Sequence, residues 1–126
     1  MEKLRFNNFQ VLKLGKLNDI CKIETGKFNN DKSGIYNVYG ANGIIGKTNN
    51  LSHNEKIIIV GRVGSAGKTA IVEEPCYVSD NAFILTSNNQ DYLFAYLNSL
   101  NLNKLSFGSV QKLIKSSDLK KININI

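Results

Sequence analysis

The stretch Ile57-Ile58-Ile59-Val60 constrains the fold more than any other feature of the chain. Four consecutive β-branched apolar residues stand between Glu55-Lys56 and Gly61. A half-exposed strand would alternate apolar with polar residues, and a run without alternation reads as a strand buried on both faces. It is also far short of the roughly 18 apolar residues a membrane-spanning helix needs, and no apolar run in the sequence reaches that length. The chain must therefore supply two coverings for this strand from 126 residues, enough for one domain with a modest core.

The flanking segments supply further short strands. "IYNVYG" ends at Gly40, "ANGIIGKTNN" sets two isoleucines between turn residues, and "KTAIVEE", "CYVS" and "AFILTS" follow, with turns at Glu74-Pro75 and Asp80-Asn81. Ahead of them, "KLGKLNDICKI" reads as a short helix running into a strand, with Leu17, Ile20 and Cys21 on one helical face. Beyond residue 90 the pattern changes. "DYLFAYLNSL" spaces Leu93, Leu97 and Leu100 as a helix with Asp91 placed to cap it. "GSVQKLIKSSDLKKI" suggests a second helix with Ser109 as N-cap, and "KININI" alternates as a half-exposed strand. Strands, then helices, then a strand predict an α+β fold with a mixed, mostly antiparallel sheet, barrel-like at its core, and short helices toward the C-terminus. No linker or repeat divides residues 1–126, so a single domain is expected. The N-terminus has no apolar signal region, and Cys21 and Cys76 form no CxxC pair. Reduced thiols in a cytoplasm are the expectation. Cys76 reads as a small core residue.

Charge is unevenly distributed. The formal net charge is +6, from 14 lysines and 2 arginines against 10 acids. Residues 27–72 carry six basic and two acidic groups, residues 73–100 four acidic and none basic, and residues 101–126 five basic and one acidic. Two basic segments around an acidic one suit a face that binds a polyanion; a solvated surface would read the same way.

"GRVGSAGKT", Gly61 to Thr69, resembles a nucleotide-binding loop. The phosphate-wrapping pattern needs glycine five positions before the Gly of Gly-Lys, and Arg62 stands there. Such a loop also opens a helix, whereas Thr69 leads into the β-like "AIVEEP". ATP and GTP are therefore excluded. "GIYNVYG" does not make a nuclease site either, because Tyr36 and Tyr39 fall on one short strand instead of two. His53, the one histidine, reads as a solvated loop residue, and Glu73-Glu74 as a solvated pair before Pro75. No base-methylation string of the Asn-Pro-Pro-Tyr kind occurs. Neither a catalytic set, a metal site nor a cofactor is expected.

The same residues suit anion and base recognition. Gly61, Gly64 and Gly67 let backbone N–H groups approach an anion, with Arg62, Ser65, Lys68 and Thr69 among them. Arg62 offers a fork for phosphate or guanine, and Lys68 a point charge. Asn42, Lys47, Thr48, Asn49 and Asn50 add donors from "GANGIIGKTNN", and Lys27, Asn29, Asn30 and Lys32 from "GKFNNDKSG". Ser109, Gln111 and Lys112 are expected on the first turn of a helix, where free N–H groups favour phosphate. The segments around 27–33, 41–50, 61–69 and 104–112 are expected to line one DNA face.

The ordered strings "KLGKLNDICKIETGK", "GIYNVYGANGIIGKTN", "KIIIVGRVGSAGKTAIV", "CYVSDNAFILT" and "YLFAYLNSLNLNKLSFGSVQKLIKSSDLKKININI" resemble a target recognition domain of a type I restriction–modification specificity subunit, over roughly residues 10–126. The resemblance implies a non-catalytic module that binds one half of a split double-stranded DNA target. Its partners would be methyltransferase subunits, through them an endonuclease subunit, and a second specificity half-subunit. It places Gly61, Arg62, Gly64 and Ser65 in the family's glycine turn and Gly108, Ser109 and Gln111 in its Gly-Ser-x-Gln element. Family members continue past this point into a long spacer helix, which the sequence to Ile126 does not include. A protein-interaction module that binds methyltransferase subunits with little DNA affinity is the alternative, and a small nuclease the third reading.

Overall fold

The computed structural model describes residues 14–108 and 111–125. Among the described residues nine strands run in chain order: β1 Leu14–Lys16, β2 Lys22–Thr25, β3 Tyr36–Gly40, β4 Gly43–Thr48, β5 Ile57–Gly61, β6 Thr69–Val72, β7 Cys76–Val78, β8 Ala82–Thr86 and β9 Asn123–Asn125. The helices are α1 Leu17–Ile20, α2 Gln90–Ser99 and α3 Ser116–Lys120, with a 3-10 turn at Leu102–Leu105. The strands form a four-stranded sheet in the order β2-β8-β5-β6, a three-stranded sheet β4-β3-β7 and a pair β1-β9. Every pairing is antiparallel except β3 with β7. The fold is thus α+β and mostly antiparallel, as expected. The expected barrel is corrected: the described strands lie in three separate sheets and close no ring.

Burial on both faces of β5 is borne out, because each face has its own core. Ile58 and Val60 pack with Leu17, Phe83, Leu85, Leu93, Leu97, Leu102 and Leu119, a cluster drawn largely from the helical side. Ile57 and Ile59 pack with Val72, Cys76, Val78, Ala82 and Ile84, against which Tyr39 of β3 rests. β8, hydrogen-bonded to β5, splits in the same way: Phe83 and Leu85 to one side, Ala82 and Ile84 to the other. Side chains alternate across a strand, so a non-alternating sequence is what a middle sheet between two coverings requires. The four-stranded sheet is that middle layer, with helices on one face and the three-stranded sheet on the other.

α2 corrects the expected cap. Asn89 is the N-cap, its side chain accepting from the Tyr92 N–H at 3.1 Å. Asp91 lies in the first turn and accepts from Lys56 Nζ at 2.7 Å. Lys56, counted in the first basic segment, is therefore engaged by an acid of the acidic one. Leu93 and Leu97 are buried as their spacing predicts.

Candidate nucleic-acid interface

Three separate parts of the chain converge at the loop that follows β5. The loop is closed on itself: the Gly61 N–H donates to the Lys68 carbonyl at 2.8 Å, Gly67 N–H to Gly61 O at 2.9 Å and Lys68 N–H to Ser65 O at 3.2 Å. Gly61 has no room for a side chain, since a Cβ there would stand 2.1 Å from Ser65 O and 3.2 Å from the Ala41 Cβ. Gly64 and Gly67 take φ of +84° and +89°, which favour glycine. Thr69 then enters β6, opposite Val60. A strand and not a helix follows Lys68, which agrees with the exclusion of a nucleotide loop.

The hairpin of β3 and β4 reaches this loop through its tip. Lys68 Nζ donates to Asn42 Oδ1, and Lys68 and Asn42 border one depression of about 200 Å³ with Tyr39, Gly43 and Thr69. Burial, with Glu74 next in weight, pushes the Tyr39 phenol above its usual range, so it stays a neutral group there. The third part is the segment leading to α3. The Gly64 N–H donates to Lys112 O at 2.9 Å and the Ile114 N–H to Arg62 O at 2.9 Å, while Phe107 and Leu113 exchange hydrogen bonds of 3.0 and 3.1 Å.

That pairing overturns the helical placement of Gln111 and Lys112. α3 begins at Ser116, and Gln111 and Lys112 lie in a turn bounded by the Phe107–Leu113 bridge. Gly108 makes the turn with φ +112°, where a Cβ would meet Gln111 O at 2.5 Å. The carbonyl of Lys112 is engaged by the glycine loop instead of by a helical turn, so no helix N-terminus presents these residues to phosphate. Both side chains are exposed beside Gly64. Ser109, expected as the N-cap, lies outside the described residues.

Arg62 is held in a defined orientation. Its Nε donates to Asp80 O at 2.7 Å, and its backbone N–H to Asn81 O at 2.8 Å. The Asp80-Asn81 turn was legible as a turn, but nothing local marks it as the seat of an arginine 18 residues away. With Nε engaged, the terminal amino pair remains for an outside acceptor. Ser65, half-buried, lies in the same loop.

Lys27, Lys32 and Lys47 fall elsewhere. Asp31 Oδ2 accepts from the Thr48 hydroxyl at 3.0 Å and from the Asn49 N–H at 2.8 Å, and Asn29 Nδ2 donates to Thr48 Oγ1 at 2.9 Å. These bonds tie residues 29–33 to the far end of β4. There Lys32 and Lys47 rim a second depression, of about 310 Å³, with Asn29, Val38 and Ile45. Backbone hydrogen bonding by Asn49, then the Thr48 hydroxyl, lowers the Asp31 carboxyl below its usual 3.8. Lys27 borders a third depression, of about 330 Å³, with Glu24, Ser52, His53 and Tyr77. The expected single face thus resolves into a glycine-loop group (Asn42, Arg62, Ser65, Lys68, Gln111, Lys112) and a group at the base of the hairpin (Lys32, Lys47), with Lys27 beside the latter segment. Along an extended strand at about 3.3 Å per residue, Asn42 and Lys47 stand roughly 17 Å apart. That is the length of about five base pairs at roughly 3.4 Å each.

His53 is not the solvated loop residue expected. It exchanges backbone hydrogen bonds with Cys76 at 3.0 and 2.9 Å, and its side chain is 15% exposed. Nδ1 lies 2.8 Å from Ser52 Oγ and Nε2 lies 3.6 Å from Glu24 Oε1. The Ser52 hydroxyl accepts from the Val78 N–H at 3.0 Å and donates to Cys76 O at 3.3 Å, so it serves β7 as a backbone partner. Among the described residues no three His, Cys, Asp or Glu side chains come together as a metal site, and no helix is long and apolar enough to cross a membrane.

A family model described as "Type I restriction modification DNA specificity domain" matches residues 11–126. No curated protein matches the chain. Two solved structures are similar. One is titled "Crystal structure of Type-I restriction-modification system S subunit from M. genitalium", with a TM-score of 0.83 and 19% identity. The match covers 98% of this chain and 36% of that one. The other belongs to work titled as the structural basis of complex assembly and conformational transition of the type I R-M system. It has a TM-score of 0.66 and 16% identity, covering 91% of this chain and 34% of that one. The chain therefore spans about a third of the length of each, and at these identities the likeness concerns the fold.

Proposed function

The chain belongs to the type I restriction modification DNA specificity domain family, and from that premise we propose that it is a single target recognition domain. It reads one half of a bipartite double-stranded DNA site. It is non-catalytic and works in the cytoplasm, where methyltransferase subunits, a second specificity half-subunit and, through the assembly, an endonuclease subunit act on the DNA it selects.

The observation that carries this reading is the convergence of the hairpin tip, the glycine loop and the segment of Gln111 to Ile114. Each is a separate segment, and hydrogen bonds hold them as one surface. Arg62, Lys68, Asn42, Gln111 and Lys112 are borne on it. A rigid display of this kind favours base readout, because the donors are oriented before DNA arrives. Arg62 fits the base-reading role: with Nε on Asp80 O, its terminal amino pair matches the O6 and N7 acceptors of guanine. Lys68 fits the backbone-holding role, as a point charge with donors beyond the one given to Asn42. Asn42 shares its Oδ1 with Lys68, which weakens it as a bidentate partner of adenine.

The test is selection of bound duplexes from a random pool, followed by titration across salt. A short reproducible half-site is expected. Arg62→Ala should weaken binding by about 1–3 kcal/mol and relax one position of the site. Lys68→Ala should weaken all sequences alike and reduce the salt slope by roughly one. Two variants that match the unaltered chain at every salt concentration remove the assignment.

A further inference from the structure

The hairpin carries an uncovered apolar pair. β4 is the edge strand of its sheet, and it exposes Ile44 and Ile45 by 56% and 58%. Pairing shifts in register opposite them: Val38 faces Gly46 while Tyr39 faces Ile44, so Ile45 is the extra residue of a β-bulge. A bulge re-aims side chains and twists an edge away from further strand pairing. Neighbouring residues on a regular strand point to opposite faces, and one of two isoleucines would ordinarily be covered. Here neither is.

The surroundings indicate what covers them. Residues 34–50 contain no acid and end in Lys47 and three polar residues. Ile45 lines the same depression as Asp31, Lys32 and Lys47, where two cations outnumber one acid. At the tip, two residues from Ile44, Asn42 holds Lys68. The acids that reach the hairpin are engaged by its polar groups, Asp31 by Thr48 and Asn49 and Glu74 by Asn37. An apolar pair with cations at both ends is complementary to a surface that is apolar at its centre and anionic at its rims. The DNA major groove has that form wherever thymine 5-methyl groups project between the phosphate backbones. Two strands about 5 Å apart also fit a groove about 12 Å wide.

We propose that Ile44 and Ile45 read thymine 5-methyl groups in the major groove, making the β3–β4 hairpin a specificity determinant apart from Arg62. This rests on the DNA-recognition reading above and adds a prediction about the target: its half-site contains thymine at one or two positions that the hairpin contacts.

The experiment uses the full chain and its selected duplex at low salt. Each thymine is replaced in turn by deoxyuridine, which removes only the methyl group. Binding is measured for the unaltered chain, Ile44→Ala, Ile45→Ala and Arg62→Ala. At one or two positions deoxyuridine should weaken the unaltered chain about fourfold per methyl, as expected for one buried apolar carbon. One of the isoleucine variants should lose that sensitivity, and Arg62→Ala should keep it. The deoxyuridine series on the unaltered chain stands independently of any variant's folding. A half-site without thymine, unchanged affinity at every deoxyuridine position, or sensitivity that survives both isoleucine variants would overturn the proposal while leaving DNA recognition intact. Failure to bind any duplex would remove both. Sedimentation that shows a dimer broken by Ile45→Ala, with an unchanged deoxyuridine response, would assign the pair to self-association instead.

Discussion

Replacing Gly61 by alanine should unlock the glycine loop, and the structure sets the size of the effect. The added Cβ would lie 2.1 Å from Ser65 O and 3.0 Å from its carbonyl carbon. Both are main-chain atoms, which cannot rotate away as a side chain can. An ordinary contact would require the 62–67 backbone to retreat by roughly 1 Å or more, a larger move than packed interiors absorb without cost. Overpacking of this kind costs about 1–3 kcal/mol. The retreat also breaks into the bonds Gly61 N–H to Lys68 O and Gly67 N–H to Gly61 O. Each contributes about 0.5–1.5 kcal/mol net. Partial loss of both brings the expected destabilisation to about 2–4 kcal/mol. At roughly 4 °C per kcal/mol for a chain of this size, Tm falls by about 8–16 °C. Gly46→Ala is the control, since its Cβ meets nothing within 4 Å and its φ is ordinary. It should stay within about 1 kcal/mol of the unaltered chain. Urea unfolding monitored by circular dichroism measures both. Gly61→Ala that unfolds within about 0.5 kcal/mol of Gly46→Ala would refute the reasoning, because the loop would then not depend on this contact.

Two further outcomes follow from titrating groups. Asp31 has a folded pKa below its usual 3.8, so its bonds to Thr48 and Asn49 stabilise the hairpin base above that pH and are lost as pH falls through the lower folded value. The stability difference between about pH 6 and pH 3 should therefore shrink in Asp31→Asn, compared by urea midpoints; an equal acid loss in both chains would count against the assignment. Burial pushes the Cys21 and Cys76 thiols up to about 11. At about pH 8 both should resist a thiol reagent in the native chain and react at once in denaturant, and rapid native labelling of either would contradict its burial.

Much of the fold was legible because it depends on local chemistry. The isoleucine run, the strand endings at Gly40 and Gly61, and the leucine spacing of α2 are properties of short windows, and each reappears where it was read. The family resemblance was likewise carried by short ordered strings. What failed to be legible has a common form. Gln111 and Lys112 follow a Gly-Ser pair that looks like a helix start, yet Gly64 and Arg62 capture the backbone of this segment and make it a turn and a bridge. His53 sits in a polar stretch, yet Cys76, far along the chain, pairs with its backbone. The basic residues read as one face, but Asp31 and Thr48 anchor Lys32 and Lys47 at the end of the hairpin away from Lys68.

The sequence by itself determined most of the strands, that the central one is covered twice, that the class is α+β, and to which family the chain belongs, while β1 at Leu14–Lys16 was read as part of a helix. Only the tertiary structure decided where the backbone donors of the loops go and which functional side chains stand together. Side-chain period and turn chemistry are encoded within a few residues of one another. A loop hydrogen bond is settled by whichever partner the closed core brings within about 3 Å, and here those partners lie far along the chain, as with Arg62 on Asp80 and Gly64 on Lys112.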